Sequence, residues 1–117
     1  MHTNFMITID SELGRDVVEF YCGLYNMDGV NVDISNVDEL DDYGYCIVSD
    51  KHYEIEIRSG LKFSYYVKTL LHELVHVSQT IRGEFDGTIR EREAYELEDV
   101  LFEKYKVLLL QSSKVSN

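Results

Sequence analysis

The sequence predicts a small α+β domain, and three observations carry that prediction. The chain has 117 residues, of which 44 % are hydrophobic, enough for one core and too few for a catalytic domain plus a separate regulatory one. Tyr53, Ile55 and Ile57 alternate with Glu54, Glu56 and Arg58, the pattern of a strand with one dry and one wet face. Stretches on either side of this strand instead space their apolar residues at the helical period. The expected architecture is an N-terminal helix, a small sheet containing an antiparallel pair, and two C-terminal helices. It forms one domain over residues 1–117, because there is no repeat, low-complexity tract or linker, and no proline to mark a boundary.

The elements follow in order. Over residues 11–25, Leu13, Val17, Val18, Phe20, Tyr21 and Leu24 recur at helical spacing behind Ser11, a good N-cap, and residues 26–29 read as the stop. Residues 30–42 are acidic and weakly patterned, with a short strand expected at 30–34. Residues 43–49 and 53–59 look extended and would be joined by the turn Asp50-Lys51-His52. The second of these strands suits a sheet edge. A long helix is expected over 64–82, a connection over 83–87, a last helix over 88–111, and a frayed polar tail over 112–117.

Charge narrows the function. Eleven Lys and Arg oppose twenty-two Asp and Glu, for a formal net charge of −11 and a pI near 4.6, a field that repels phosphate and argues against a nucleic-acid partner. Residues 1–60 carry −10 of that charge and residues 61–117 only −1. No run reaches the roughly 18 consecutive apolar residues of a membrane span, and no leader pattern opens the chain, so a cytoplasmic protein with no membrane partner is expected. Cys22 and Cys46 read as small, reduced core residues.

Residues 72–76 read His-Glu-Leu-Val-His. Two imidazoles four residues apart share one face of a helix and can hold one zinc ion. Glu73 then lies beside the metal, where a carboxylate can take a proton from water. Tyr65, Thr69, His72, His76 and Gln79 fall within a sector of roughly 80°, opposite an apolar face of Tyr66, Val67, Leu70, Leu71, Leu74 and Ile81. The competing reading is a pair of ordinary histidines on an amphipathic helix. A catalytic zinc site also needs a third protein ligand. Gln79 and Arg82 stand where the extended motif with a third histidine requires Gly and His, so this ligand must come from elsewhere. In the last helix, Glu93 falls in the middle of the stripe of Ile89, Ala94, Leu97, Val100, Leu101 and Leu108. Glu91 and Glu98 lie well off that stripe, and Glu96 sits at its margin. A carboxylate in an apolar face is costly unless it is paired, which singles out Glu93 as the ligand. Its competing reading is a salt bridge to Arg90 or Lys104.

His-Glu-x-x-His on one helix and a Glu on the next, with sixteen residues between His76 and Glu93, resembles the gluzincin metallopeptidases. The small size is similar to the minigluzincins and small phage-type metallopeptidases. A related likeness is to the ImmA/IrrE-type peptidases. It covers about residues 64–100. The resemblance implies a minimal zincin-like fold and one Zn2+ held by His72, His76 and Glu93. It also implies Glu73 as general base in peptide-bond hydrolysis, and a peptide or protein substrate that the acidic half would favour when basic. Leu97 stands where the family often has an acid that orients a zinc-binding imidazole, with Glu96 nearby. Larger members carry their oxyanion-stabilising residue on a C-terminal domain that has no counterpart within residues 1–117; Tyr65 or His52 would then be expected to supply that group. The strand over 53–59 can accept an extended peptide as an added strand. The alternative function is a zinc-stabilised or latent binding or inhibitor module without peptidase activity.

Overall fold

The computed structural model describes the backbone of residues 5–7, 12–27, 30–49 and 52–116, and the side chains of 12–27, 30–49 and 52–111. The elements are β1 (Phe5–Ile7), α1 (Glu12–Tyr25), β2 (Asn31–Val37), β3 (Gly44–Ser49), β4 (His52–Arg58), α2 (Phe63–Arg82) and α3 (Gly87–Ser116). The α+β class is as expected from the sequence. Ser11, the expected cap of α1, lies outside the described residues, as do positions 50 and 51 of the expected turn. His52 is the first residue of β4, paired with Ser49, and not part of the turn.

The sheet has the order β1-β2-β4-β3, with β1, β2 and β4 parallel and β3 antiparallel to β4. This corrects the expectation that β4 forms an edge. Its alternation of wet and dry residues arises because one sheet face carries the helices and the other faces water, a pattern that a central strand of a half-covered sheet shares with an edge strand. The edges of the described sheet are β1 and β3, and β1 is a strand that the sequence pattern did not announce.

Val32 and Ile34 from β2 and Tyr53, Ile55 and Ile57 from β4 point to the covered face. They meet Val17, Val18 and Tyr21 of α1 and Val67, Leu70, Leu71 and Leu74 of α2 in one continuous apolar cluster, which Ala94, Leu101 and Tyr105 of α3 complete. Two buried phenols tie the helices together at their polar tips: Tyr21 hydrogen-bonds Ser78 at 2.6 Å, and Tyr105 donates to Asp16 at 2.6 Å.

Helix α2 is buried on nearly all sides. Its polar face, Thr69, Glu73, His76 and Gln79, is covered as well, whereas Ile81, expected on the apolar face, is half exposed. A left-handed Gly83 ends the helix, its N–H bonded to the Thr80 carbonyl and that of Glu84 to Gln79, so the chain reverses at once. The Asp86 carboxylate then accepts the N–H groups of Thr88 and Ile89 at 3.0 and 3.1 Å and caps α3. With a connection this short, α3 must run back antiparallel along α2. The pairing is visible from Gln79 against Arg90 near the loop to Lys68 against Asp99 (3.0 Å) and the Phe63 and Phe102 rings (6.2 Å) at the far end. α3 continues to Ser116, past the expected end at Gln111. Among the described residues, no helix is long and apolar enough to cross a membrane.

Candidate metal centre

The antiparallel register of α2 and α3 decides which carboxylate meets the histidines, and it is that of Glu91. His72 Nε2 lies 3.3 Å from Glu91 Oε1, and His76 Nε2 lies 3.1 Å from Glu91 Oε2. One ligand atom from each of these three residues falls within 4.8 Å of the others, so the group can hold a metal ion. The expected third ligand, Glu93, is two residues further on and turned to another partner set. It accepts from Gln79 Nε2 at 2.8 Å and pairs with the Arg82 guanidinium. The cost of a carboxylate near the apolar stripe is thus offset by an amide and a cation and not by a metal, and the cation is neither Arg90 nor Lys104. Gln79 and Arg82 together hold Glu93 below the usual carboxylate range, against the opposing effect of burial.

Proton bookkeeping on the imidazoles indicates what belongs between them. His72 Nδ1 lies 2.7 Å from Glu98 Oε1, an acceptor only, so Nδ1 carries a hydrogen. His76 Nδ1 lies 2.8 Å from Gln79 Oε1. The Gln79 amide cannot be turned round, because its nitrogen donates to the Arg90 carbonyl at 3.0 Å as well as to Glu93, so His76 Nδ1 is also the donor. With Nδ1 the donor on both rings, Nε2 is in each case the atom turned toward the Glu91 carboxylate, and it offers a lone pair whenever the ring is neutral. Lone pairs 3.1 to 3.3 Å apart repel unless a proton or a metal cation sits between them. Ligand atoms about 2.1 Å from a tetrahedral ion stand about 3.4 Å apart; the two nitrogen–oxygen separations, one to each Glu91 oxygen, are of that size, and the three-atom group spans up to 4.8 Å. Two imidazole nitrogens and a carboxylate oxygen are donors that a divalent metal ion takes, and both Nδ1–H groups already have the acceptors that metal-binding histidines require.

Glu98, and not Glu96, is the acid that orients His72; Glu96 is exposed on the outer side of α3. Burial disfavours protonated His72, but the hydrogen bond to Glu98 and the charges of Glu73, Glu98 and Glu91 outweigh it and raise its pKa. Glu73 itself is 7 % exposed, and burial pushes its carboxyl up to about 7, opposed by His72 and reinforced by Glu91, Asp42 and Glu98.

A cleft of about 700 Å³ opens over these residues. One wall is the edge strand β3 with the preceding Asp41, Asp42 and Tyr43, and the other is α3 with Arg90, Glu91, Tyr95 and Glu98. Arg58 holds the first wall, donating to the Leu40 carbonyl at 3.0 Å and to that of Asp41, with its guanidinium 5.0 Å from the Tyr43 ring centre. Gly44 lies where β3 crosses α2: a Cβ there would run into Thr69 Cγ2 and stand 3.3 Å from Glu73 Cγ. Cys46 lines the cleft too, and burial, with Glu73 beside it, pushes its thiol up to about 12.

Neither residue expected to assist the oxyanion borders this cleft. Tyr65 is half exposed with its ring against Tyr43, and His52 is bonded to Asp33 at 3.0 Å on the sheet. The tyrosine beside the metal group is Tyr95, whose ring packs edge-on to His72 at 4.7 Å. The sequence held only a coarse signal: a short loop between two helices fixes an antiparallel register, and counting back from it sets His76 against the first turns of α3, which carry both Glu91 and Glu93.

No family model, curated protein or solved structure matches the chain. The reading of the centre therefore rests on its own geometry.

Proposed function

We propose that the protein is a zinc-dependent peptidase of gluzincin type, with His72, His76 and Glu91 as zinc ligands and Glu73 as general base. The observation that carries this reading is the convergence of the His72 and His76 Nε2 atoms on Glu91 beside a buried Glu73, in an open cleft. A purely structural site has no need of a carboxylate at position 73. When bound, zinc supplies Lewis acidity that brings water's pKa to about 7 and polarises a carbonyl.

The chain's own residues do the rest. His72 and His76 are held in their donor orientation by Glu98 and Gln79. Glu73 takes the proton of the attacking water at its carboxylate and later delivers it to the leaving amine. A peptide lies along the edge of β3 that no other described strand occupies, in the role the sequence suggests for β4. Tyr95 takes the place of Tyr65 and His52 as donor to the developing oxyanion. Asp41 and Asp42 in the cleft wall favour basic side chains in the substrate.

The test is hydrolysis of a mixed peptide library by zinc-loaded protein, read by mass spectrometry, with Glu73→Gln as the control. The expected result is cleavage enriched near Lys or Arg and abolished in Glu73→Gln, which keeps its zinc. Zinc binding without cleavage would leave a zinc-stabilised module in place of the enzyme.

A further inference from the structure

The geometry points to Gln79 as the positioning residue that joins the two halves of the metal centre, so that metal affinity depends on Glu93 although Glu93 touches no metal ligand. The inference rests on the His72, His76 and Glu91 group being the metal site and adds what holds it in shape.

Gln79 is fully buried, and its amide is in full use. Its oxygen accepts His76 Nδ1–H at 2.8 Å, while its nitrogen donates to the Arg90 carbonyl at 3.0 Å and to Glu93 Oε1 at 2.8 Å. A side-chain amide offers an acceptor and two donors from one rigid plane; a carboxylate offers only acceptors, and an ammonium only donors. Position 79 therefore needs an amide, and the consequences run in both directions. Toward α2, the oxygen keeps the proton on His76 Nδ1 and leaves Nε2 free to ligate. Toward α3, the nitrogen grips the carbonyl of Arg90, the residue next to Glu91, and so fixes the backbone that carries the third ligand. Glu93, drawn to Gln79 and clamped by Arg82, orients the amide so that its oxygen faces His76. Other links join the same helix ends, including Arg90 to the Glu84 carbonyl at 2.7 Å, but that link meets no imidazole. This accounts for the paired carboxylates of Arg-Glu-Arg-Glu: Glu91 faces the metal group, and Glu93 faces the amide that aligns it.

The experiment is a Co2+ titration of the full chain, following the visible absorption of the bound ion, with competition by a chelator of known affinity. Long-range 1H–15N correlation spectra of the metal-free protein in mildly alkaline buffer report the His76 tautomer. In wild type the His76 ring is expected as the Nδ1–H form. Gln79→Leu is expected to lose that preference and to bind Co2+ about 10- to 100-fold more weakly, the usual effect of removing an outer partner of a metal ligand. Gln79→Glu, of the same shape, keeps an acceptor for His76 but loses both donors and repels Glu93. It is expected to retain the tautomer while still losing affinity and altering the cobalt spectrum. Glu93→Ala is expected to weaken binding less, and not to add to Gln79→Leu in the double variant. Wild-type affinity and spectrum in both folded Gln79 variants would overturn the inference while leaving the metal centre standing. Failure of wild type to bind Co2+ or Zn2+ would overturn the metal centre and the inference with it. A purely structural Gln79 would lower thermal stability without changing the tautomer or the cobalt spectrum.

Discussion

At the residue scale, the site turns on two glutamates separated by one arginine. Glu91 and Glu93 have the same chemistry, and only their facing partners distinguish them: two imidazole nitrogens for one, an amide and a guanidinium for the other. Glu91→Ala should therefore weaken zinc binding by more than the roughly 100-fold limit of an outer partner, whereas Glu93→Gln, which keeps an oxygen for Gln79, should stay close to wild type. Chelator competition measures both. A carboxylate at position 93 on the α3 wheel needs a partner, and it has two, but the wheel does not name them. A wheel describes one helix, and the choice is made by the other. His72, Glu73 and His76 were legible because their spacing lies within a single helix.

At the element scale, the αα-hairpin is what sets Glu91 against the histidines, and its punctuation is local. Gly83 adopts a left-handed conformation that a Cβ disfavours, and Asp86 caps α3. Gly83→Ala and Asp86→Ala should each cost about 1 kcal/mol in denaturant unfolding. Gly44 is constrained differently: its backbone is ordinary, but Thr69 occupies the space of a side chain. Gly44→Ala should destabilise by about 1–3 kcal/mol through overpacking, and Thr69→Ser in the same chain should restore most of it by removing the obstructing methyl. The positions of α1, α2 and β4 were legible from local periodicity. The central place of β4, the strand β1 and the edge role of β3 were not, because strand order depends on pairing between distant segments and leaves only a weak mark on any one of them.

At the scale of the whole molecule, α1 is tied to the two helices of the hairpin by the buried phenols of Tyr21 and Tyr105. Burial raises both phenol pKa values. For Tyr105 the hydrogen bond to Asp16 adds to this, while for Tyr21 the bond to Ser78 opposes it. A folded pKa above the unfolded value means that the folded chain holds the proton more tightly. The resulting stability is whole below about pH 10 and drains away as the pH rises further. Unfolding midpoints should fall above that pH, and the Tyr105→Phe variant, weaker by about 1 kcal/mol at neutral pH, should show a shallower alkaline loss. The lopsided charge also gains a location: the acidic first half supplies Asp41 and Asp42 to one wall of the cleft, and the nearly neutral second half supplies the histidines, Glu73 and Glu91.

The central claim is that α2 and α3 hold one metal ion between His72, His76 and Glu91. Zinc titration of the purified chain against a chromophoric chelator, run beside Glu91→Ala and Glu93→Gln, tests it most directly. One equivalent bound by wild type and by Glu93→Gln, with binding lost in Glu91→Ala, is the predicted result. Absence of a tight equivalent in wild type, or full retention in Glu91→Ala, would contradict it.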